Sequence, residues 1–127
     1  MTAPALAAAL RAHAQGLLCP EAAAELLIAQ SWLYREDFTS QFVRLHPGTA
    51  GGQQAATIDW PAVVTALGAG LPCSGGEQRM LRITASLAGG IPVDLREALT
   101  SLDQRNLDLL VTAIRHACGQ RPAASAP

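Results

Sequence analysis

Three cysteines and three histidines are the residues of this chain with the most chemistry open to them, and their spacing decides how much of it they can do. Cys73 stands immediately before a predicted helix start, where the partial positive charge of a helix N-terminus can lower a thiol pKa and expose a nucleophile. Activation would need His13, His46 or His116 within reach, and a third group to orient the base. No residue stands at a spacing that supplies it. His116 and Cys118 are two apart, which on a helix points them to different faces, so this pair does not converge on one ion. Structural zinc sites show tighter ligand spacing. The reading is therefore no catalytic residue, no metal and no cofactor.

A second cluster is Leu71-Pro72-Cys73-Ser74-Gly75-Gly76-Glu77-Gln78-Arg79. Within it, SGGEQR resembles the signature motif of ABC-type ATPases, whose Ser and Gly backbone groups contact a γ-phosphate from the opposite subunit. Ser101-Leu102-Asp103 adds a faint echo of the loop after their acidic strand. The resemblance stops there. A P-loop needs G-x-x-x-x-G-K-[ST], and this chain has no Lys at all. Ile91-Pro92-Val93-Asp94-Leu95-Arg96 replaces the buried strand that should follow the signature. A cap explains the same letters: Ser74 and Glu77 make an S-x-x-E capping box, so the match is read as coincidence.

Surface chemistry comes next. The nine basic residues are all Arg, and the formal charge is −1 with a pI near 6.3. That balance creates no strong field toward nucleic acid or an anionic membrane. Arg79 and Arg82 form one small basic spot, and Arg96, Arg105 and Arg115 add charge to a segment, 93–118, that could hide a helix-turn-helix. Asp103 at the start of the recognition helix is a poor neighbour for phosphates, so direct DNA contact is the less favoured alternative. Trp32 and Trp60 each sit at a helix start, where an indole either plugs the core or anchors a partner. The candidate interaction surface is thus Trp32, Trp60, Arg79, Arg82, Arg96 and Arg105.

The elements that must position these residues are helical. Half of the 127 residues are apolar, much of that Ala, while 4% are aromatic and 15% charged. Such a mixture favours helix over sheet. Leu6, Leu10, Ala14 and Leu17 set a first helix from about Pro4 to Gln15, closed by Gly16. Pro20 opens a second, and Phe38, Phe42 and Leu45 mark a third that His46-Pro47 stops. PGTAGGQQAAT, residues 47–57, is a flexible loop or tether. Asp59 caps a short fourth helix with Pro61 in its first turn. The capping box at Ser74 opens a helix with core stripe Met80, Ile83 and Leu87, and Gln78, Arg79, Arg82 and Ser86 on the outer side, ending at Gly89-Gly90. A short helix through Leu95, Leu99 and Leu102 leads to a second box at Ser101 and Gln104. The strongest helix follows, its stripe Leu107, Leu110, Val111, Ile114 and Cys118. RPAASAP, 121–127, reads as a disordered tail.

The expected fold is all-α: one domain over 1–120, an irregular bundle of about six short helices. No stretch approaches the roughly 18 apolar residues of a membrane span. The odd, widely spaced cysteines suit reduced thiols, and no basic n-region precedes the apolar N-terminus, so a cytoplasmic protein is expected. SWLYREDF, DWPAVVTAL and the run from Leu71 to Gly119 resemble a group of small helical actinobacterial proteins. That group carries no established activity to transfer, so the resemblance implies source and placement only. The expected function is a non-catalytic protein-interaction or regulatory accessory module, with an unknown protein or a second copy as partner. The alternatives are a DNA-associated transcriptional or mobile-element regulator, and a cysteine-dependent enzyme centred on Cys73.

Overall fold

The computed structural model describes residues 1–48 and 52–120. The chain runs through α1 (Ala3–Ala14), α2 (Leu18–Ala29), a single 3-10 turn (Trp32–Tyr34), α3 (Glu36–Phe42), β1 (Val43–His46), β2 (Ala55–Ile58), α4 (Trp60–Gly68), α5 (Gly75–Gly89), α6 (Leu95–Leu99) and α7 (Gln104–Ala117). The molecule is mainly helical, but the all-α expectation needs correcting: β1 and β2 pair antiparallel, with Val43 opposite Ile58 and Leu45 opposite Ala56.

The correction falls where helix periodicity runs on too far. Phe38 and Phe42 do enter the core, but the helix stops at Phe42, and Leu45 lies 47% exposed on a strand. Val43, Thr57 and Ile58 are β-branched, and such side chains fit a pleated ribbon better than a helix. Asp59 N–H donates to the Phe42 carbonyl (2.9 Å), locking the ribbon to both flanking helices. His46 Nε2 stands 2.8 Å from Thr57 Oγ1 across the pair. Residues 55–57, expected to be flexible, are therefore ordered strand. Residues 49–51 of the expected loop, and the expected tail 121–127, lie outside the described residues.

The helix ends follow side-chain capping closely. Thr2 Oγ1 accepts from Ala5 N–H, Asp59 Oδ1 from Ala62 N–H, and Asp94 Oδ1 from Glu97 N–H. At α5 the reciprocal box closes: Ser74 N–H donates to Glu77 Oε1 (2.9 Å) and Glu77 N–H to Ser74 Oγ (3.1 Å). The second expected box does not form. Asp103 caps α7 instead, accepting from Asn106 N–H at 2.7 Å, while Gln104 turns to Asp108 (2.8 Å) and Ser101 takes a left-handed φ of 61°. Asp is as good an N-cap as Ser, and here it stands three residues before the amide that needs an acceptor.

Two apolar clusters make the core. One joins α1, α3, α4 and the ribbon around Trp32, Phe38, Phe42 and Val63. The other joins α2, α5, α6 and α7 through Leu26, Met80, Ile83 and Leu110. Helices α2 and α5 contribute to both clusters, so α5 is buried well round its circumference: Met80, Leu81 and Thr84 are each 0% exposed. The buried Thr84 hydroxyl is satisfied by donating to the Met80 carbonyl at 2.7 Å.

Candidate interaction surface

Helix α7 packs along α2. Leu110 and Ala113 are its fully buried contacts, with Asn106, Leu109, His116 and Ala117 half-buried beside them. Ala113 faces a cluster that includes Ala22, and small residues on both sides allow the helices to approach closely. That face is not the one periodicity selects. Of the apolar stripe read from the sequence, only Leu110 is inside; Leu107, Val111 and Ile114 are 43%, 39% and 48% exposed, and Cys118 is exposed too. Most of the apolar stripe therefore lies outside the core. Apolar residues cover two faces of α7, and α2 covers one.

Helix α6 behaves alike. Ala98 is buried, whereas Leu95 and Leu99 stand 60% and 44% exposed, with α5 as the helix it packs on. Only half-buried Leu102 of that expected stripe joins the core. Five large aliphatic side chains in water on two chain-adjacent helices are the feature of this surface that folding does not explain.

Polar contacts at both ends hold α7 in place. Near its start, Arg105 Nη2 donates to the Ala29 carbonyl (3.1 Å) at the end of α2. Near its end, His116 Nε2 lies 2.9 Å from Glu21 Oε1, and Glu21 Oε2 accepts from Gly16 N–H at 2.8 Å. The His116 contact, and then the Gly16 amide, hold the Glu21 carboxyl below the usual carboxylate range. With Glu21 and His116 95 positions apart, no local spacing announces this pair; neither does any announce the stacking of His13 on His46, ring centres 6.0 Å apart.

The other sequence candidates scatter. Trp32 and Trp60 are 1% and 9% exposed, so both are core residues rather than surface anchors. Trp32 packs 5.1 Å from the Phe38 ring and carries the Arg35 guanidinium 4.6 Å from its own. Short helices around them leave gaps that only a large ring fills. Arg79 and Arg82 share a cleft of about 400 Å³ with Asp94 and Glu97, which offset their charge, while Arg96 and Arg105 lie outside it. The four arginines do not converge on one basic face.

Cys73 is half-buried, and its thiol donates to the Leu71 carbonyl at 3.4 Å. Burial first, then the Glu77 carboxylate, push its pKa up, opposite to the direction expected of an activated nucleophile. Glu77 closes the cap, and so sets a negative charge beside the thiol that the helix end was expected to favour. The starts of α5 and α7 share a polar cleft of about 340 Å³ lined by Ser74, Glu77, Asp103, Arg105 and Asn106. Its two carboxylates already receive first-turn or cap amides, which leaves the SGGEQR segment accounted for as a helix start. Among the described residues no three His, Cys, Asp or Glu group to hold a metal ion, and no helix is long and apolar enough to cross a membrane. Compared with protein-family models, curated proteins and solved structures, the chain finds no match.

Proposed function

We propose that this chain is a non-catalytic docking module whose working surface is the outer face of α7, with α6 beside it. The observation that carries the reading is the exposure of Leu107, Val111 and Ile114 in a line along a well-anchored helix. Spacings of four and three residues keep the three on one side of the helix, the pattern by which amphipathic helices dock on one another. A helix already packed on α2 gains nothing from a second apolar face unless something covers it. Arg105 and His116 pin the helix, so the face is presented rigidly, and rigid presentation lowers the entropy cost of binding.

The test is Val111→Glu. On a residue 39% exposed it should leave the unfolding midpoint close to that of the parent protein. It should weaken self-association in the ultracentrifuge, or co-purification of a stoichiometric host protein, at least tenfold. Associations that survive it unchanged, or no association of either kind, would sink the proposal.

A further inference from the structure

Resting on that reading, we infer that the occupant of the α7 face is a second copy of the same helix, laid antiparallel across a two-fold axis at Val111. The inference comes from where the charges lie relative to the apolar line. At about 100° per residue, Leu107 and Ile114 fall on one side of Val111, and Asp108 and Arg115 together fall on the other. Written as a heptad, Leu107 and Ile114 take one core position and Val111 and Cys118 the other. Asp108 and Arg115 then both occupy the same flanking position, seven residues apart.

That arrangement distinguishes the two ways of pairing. An antiparallel two-fold keeps each flank facing its own symmetry mate. With a rise of about 1.5 Å per residue, an axis at Val111 brings Asp108 level with the partner copy's Arg115, to within about 1.5 Å along the helix. The same operation brings Leu107 to within about 1.5 Å of the level of the partner copy's Ile114 and makes a second, identical charge pair at the other end. A parallel pair would set this flank against the opposite one, where Leu110 and Ala117 are occupied in the core, and both charges would go unmatched. Antiparallel helix dipoles are favourable as well.

Both charges are free for the role. Asp108 has only the neutral Gln104 amide (2.8 Å) and Arg115 only the neutral Gln120 amide (3.3 Å) as side-chain partners, and neither joins an ion pair among the described residues. Cys118 lies at the level of the partner copy's Gln104, so the pairing brings no native cysteine onto the axis. One helix of 14 residues is small beside the roughly 800 Å² per partner of a stable interface, so a dimer of micromolar or weaker affinity is expected.

Charge reversal tests the geometry. By symmetry Asp108→Arg or Arg115→Asp turns both attractive pairs into repulsive ones, and each should raise the dimer dissociation constant roughly tenfold or more. The double variant Asp108→Arg/Arg115→Asp restores both pairs and should return to within about threefold of the parent. Thermal melts at concentrations where the protein is monomeric separate a folding defect from a pairing defect. Independently, Val111→Cys in a protein with Cys19, Cys73 and Cys118 changed to Ser should form a disulfide-linked dimer, because among antiparallel registers only an axis at 111 brings that position onto itself, and Leu107→Cys in the same background should not cross-link, as it would in a parallel pair. A dimer that both reversals leave intact, or that does not cross-link at 111, overturns the antiparallel pairing. A parent protein that stays monomeric at several hundred micromolar overturns the homodimer. If Val111→Glu then still removes a host partner, the docking face stands and only its occupant was wrong.

Discussion

Helices α5 and α7 look like siblings in the sequence and lead opposite lives in the fold. They are 15 and 14 residues long, each is opened by a side-chain cap, and each is followed by a glycine with positive φ. Each carries apolar residues at spacings of three and four. Yet Met80 and Ile83 of α5 are 0% and 6% exposed, while Leu107 and Ile114 of α7 are 43% and 48% exposed. The difference is the number of neighbours. Three helices, α2, α4 and α6, pack on α5, whereas α7 packs mainly on α2 and meets the cluster of α5 and α6 only through its inner face. Periodicity reports that a face is apolar; only the arrangement of the other elements decides whether it is covered.

Substitutions can break this contrast at a range of magnitudes. Met80→Ala should have the largest effect, about 2–5 kcal/mol of folding stability lost in urea unfolding, because a fully buried side chain leaves a cavity among three helices. A loss under about 1 kcal/mol would mean that α5 is less enclosed than its burial indicates. Ser74→Ala comes next, at about 1 kcal/mol, since it removes one half of the reciprocal box and frees the Glu77 amide. Val111→Ser on α7 should fall within about 0.5 kcal/mol at monomer concentrations. If it destabilised the isolated chain as Met80→Ala does, the outer face of α7 would be core after all.

The same contrast shows how far the residues could be read in advance. Helix starts were legible where one side chain and one amide decide them, as at Asp59 and Ser74. Asp103 was legible as standing at the helix start but not as the winner over Ser101, because two good caps two residues apart compete and only the turn geometry settles it. The ribbon was missed because Leu45 continues the spacing of Phe38 and Phe42, and a four-residue strand carries too few letters to outweigh that signal. Of the proposed surface, the residues themselves were visible, since Leu107, Val111 and Ile114 form the clearest stripe in the chain. Their exposure was not visible. It depends on Ala113 and Leu110 seating the opposite face against α2, a long-range choice that no local pattern encodes. Trp32 and Trp60 were ambiguous for a related reason: an indole serves a core and an interface equally well, and burial alone distinguishes them.

The smallest effect expected concerns how α7 is held. Packing secures α5 on three sides, but at the far end of α7 the half-buried Ala117 is joined by one polar contact, that of His116 with Glu21. Glu21 has its folded-state pKa below its unfolded value, so its contribution is fully present above the ordinary carboxylate range near pH 4 and is lost as pH falls through the lowered value. Acid should therefore loosen the end of α7 before it touches α5. Amide hydrogen exchange in small pH steps from neutrality, with α5 amides as the internal standard, checks this directly. Protection around Arg115 and His116 should decline relative to α5 as Glu21 is protonated. Glu21→Gln, which cannot titrate, should begin with lower protection there and show a gap from the parent protein that narrows on acidification. A gap that stays constant down to acid pH would mean that charge on Glu21 contributes nothing. The apolar contacts around Leu110 and Ala113, with the Arg105 hydrogen bond to Ala29, would then present the outer face without it.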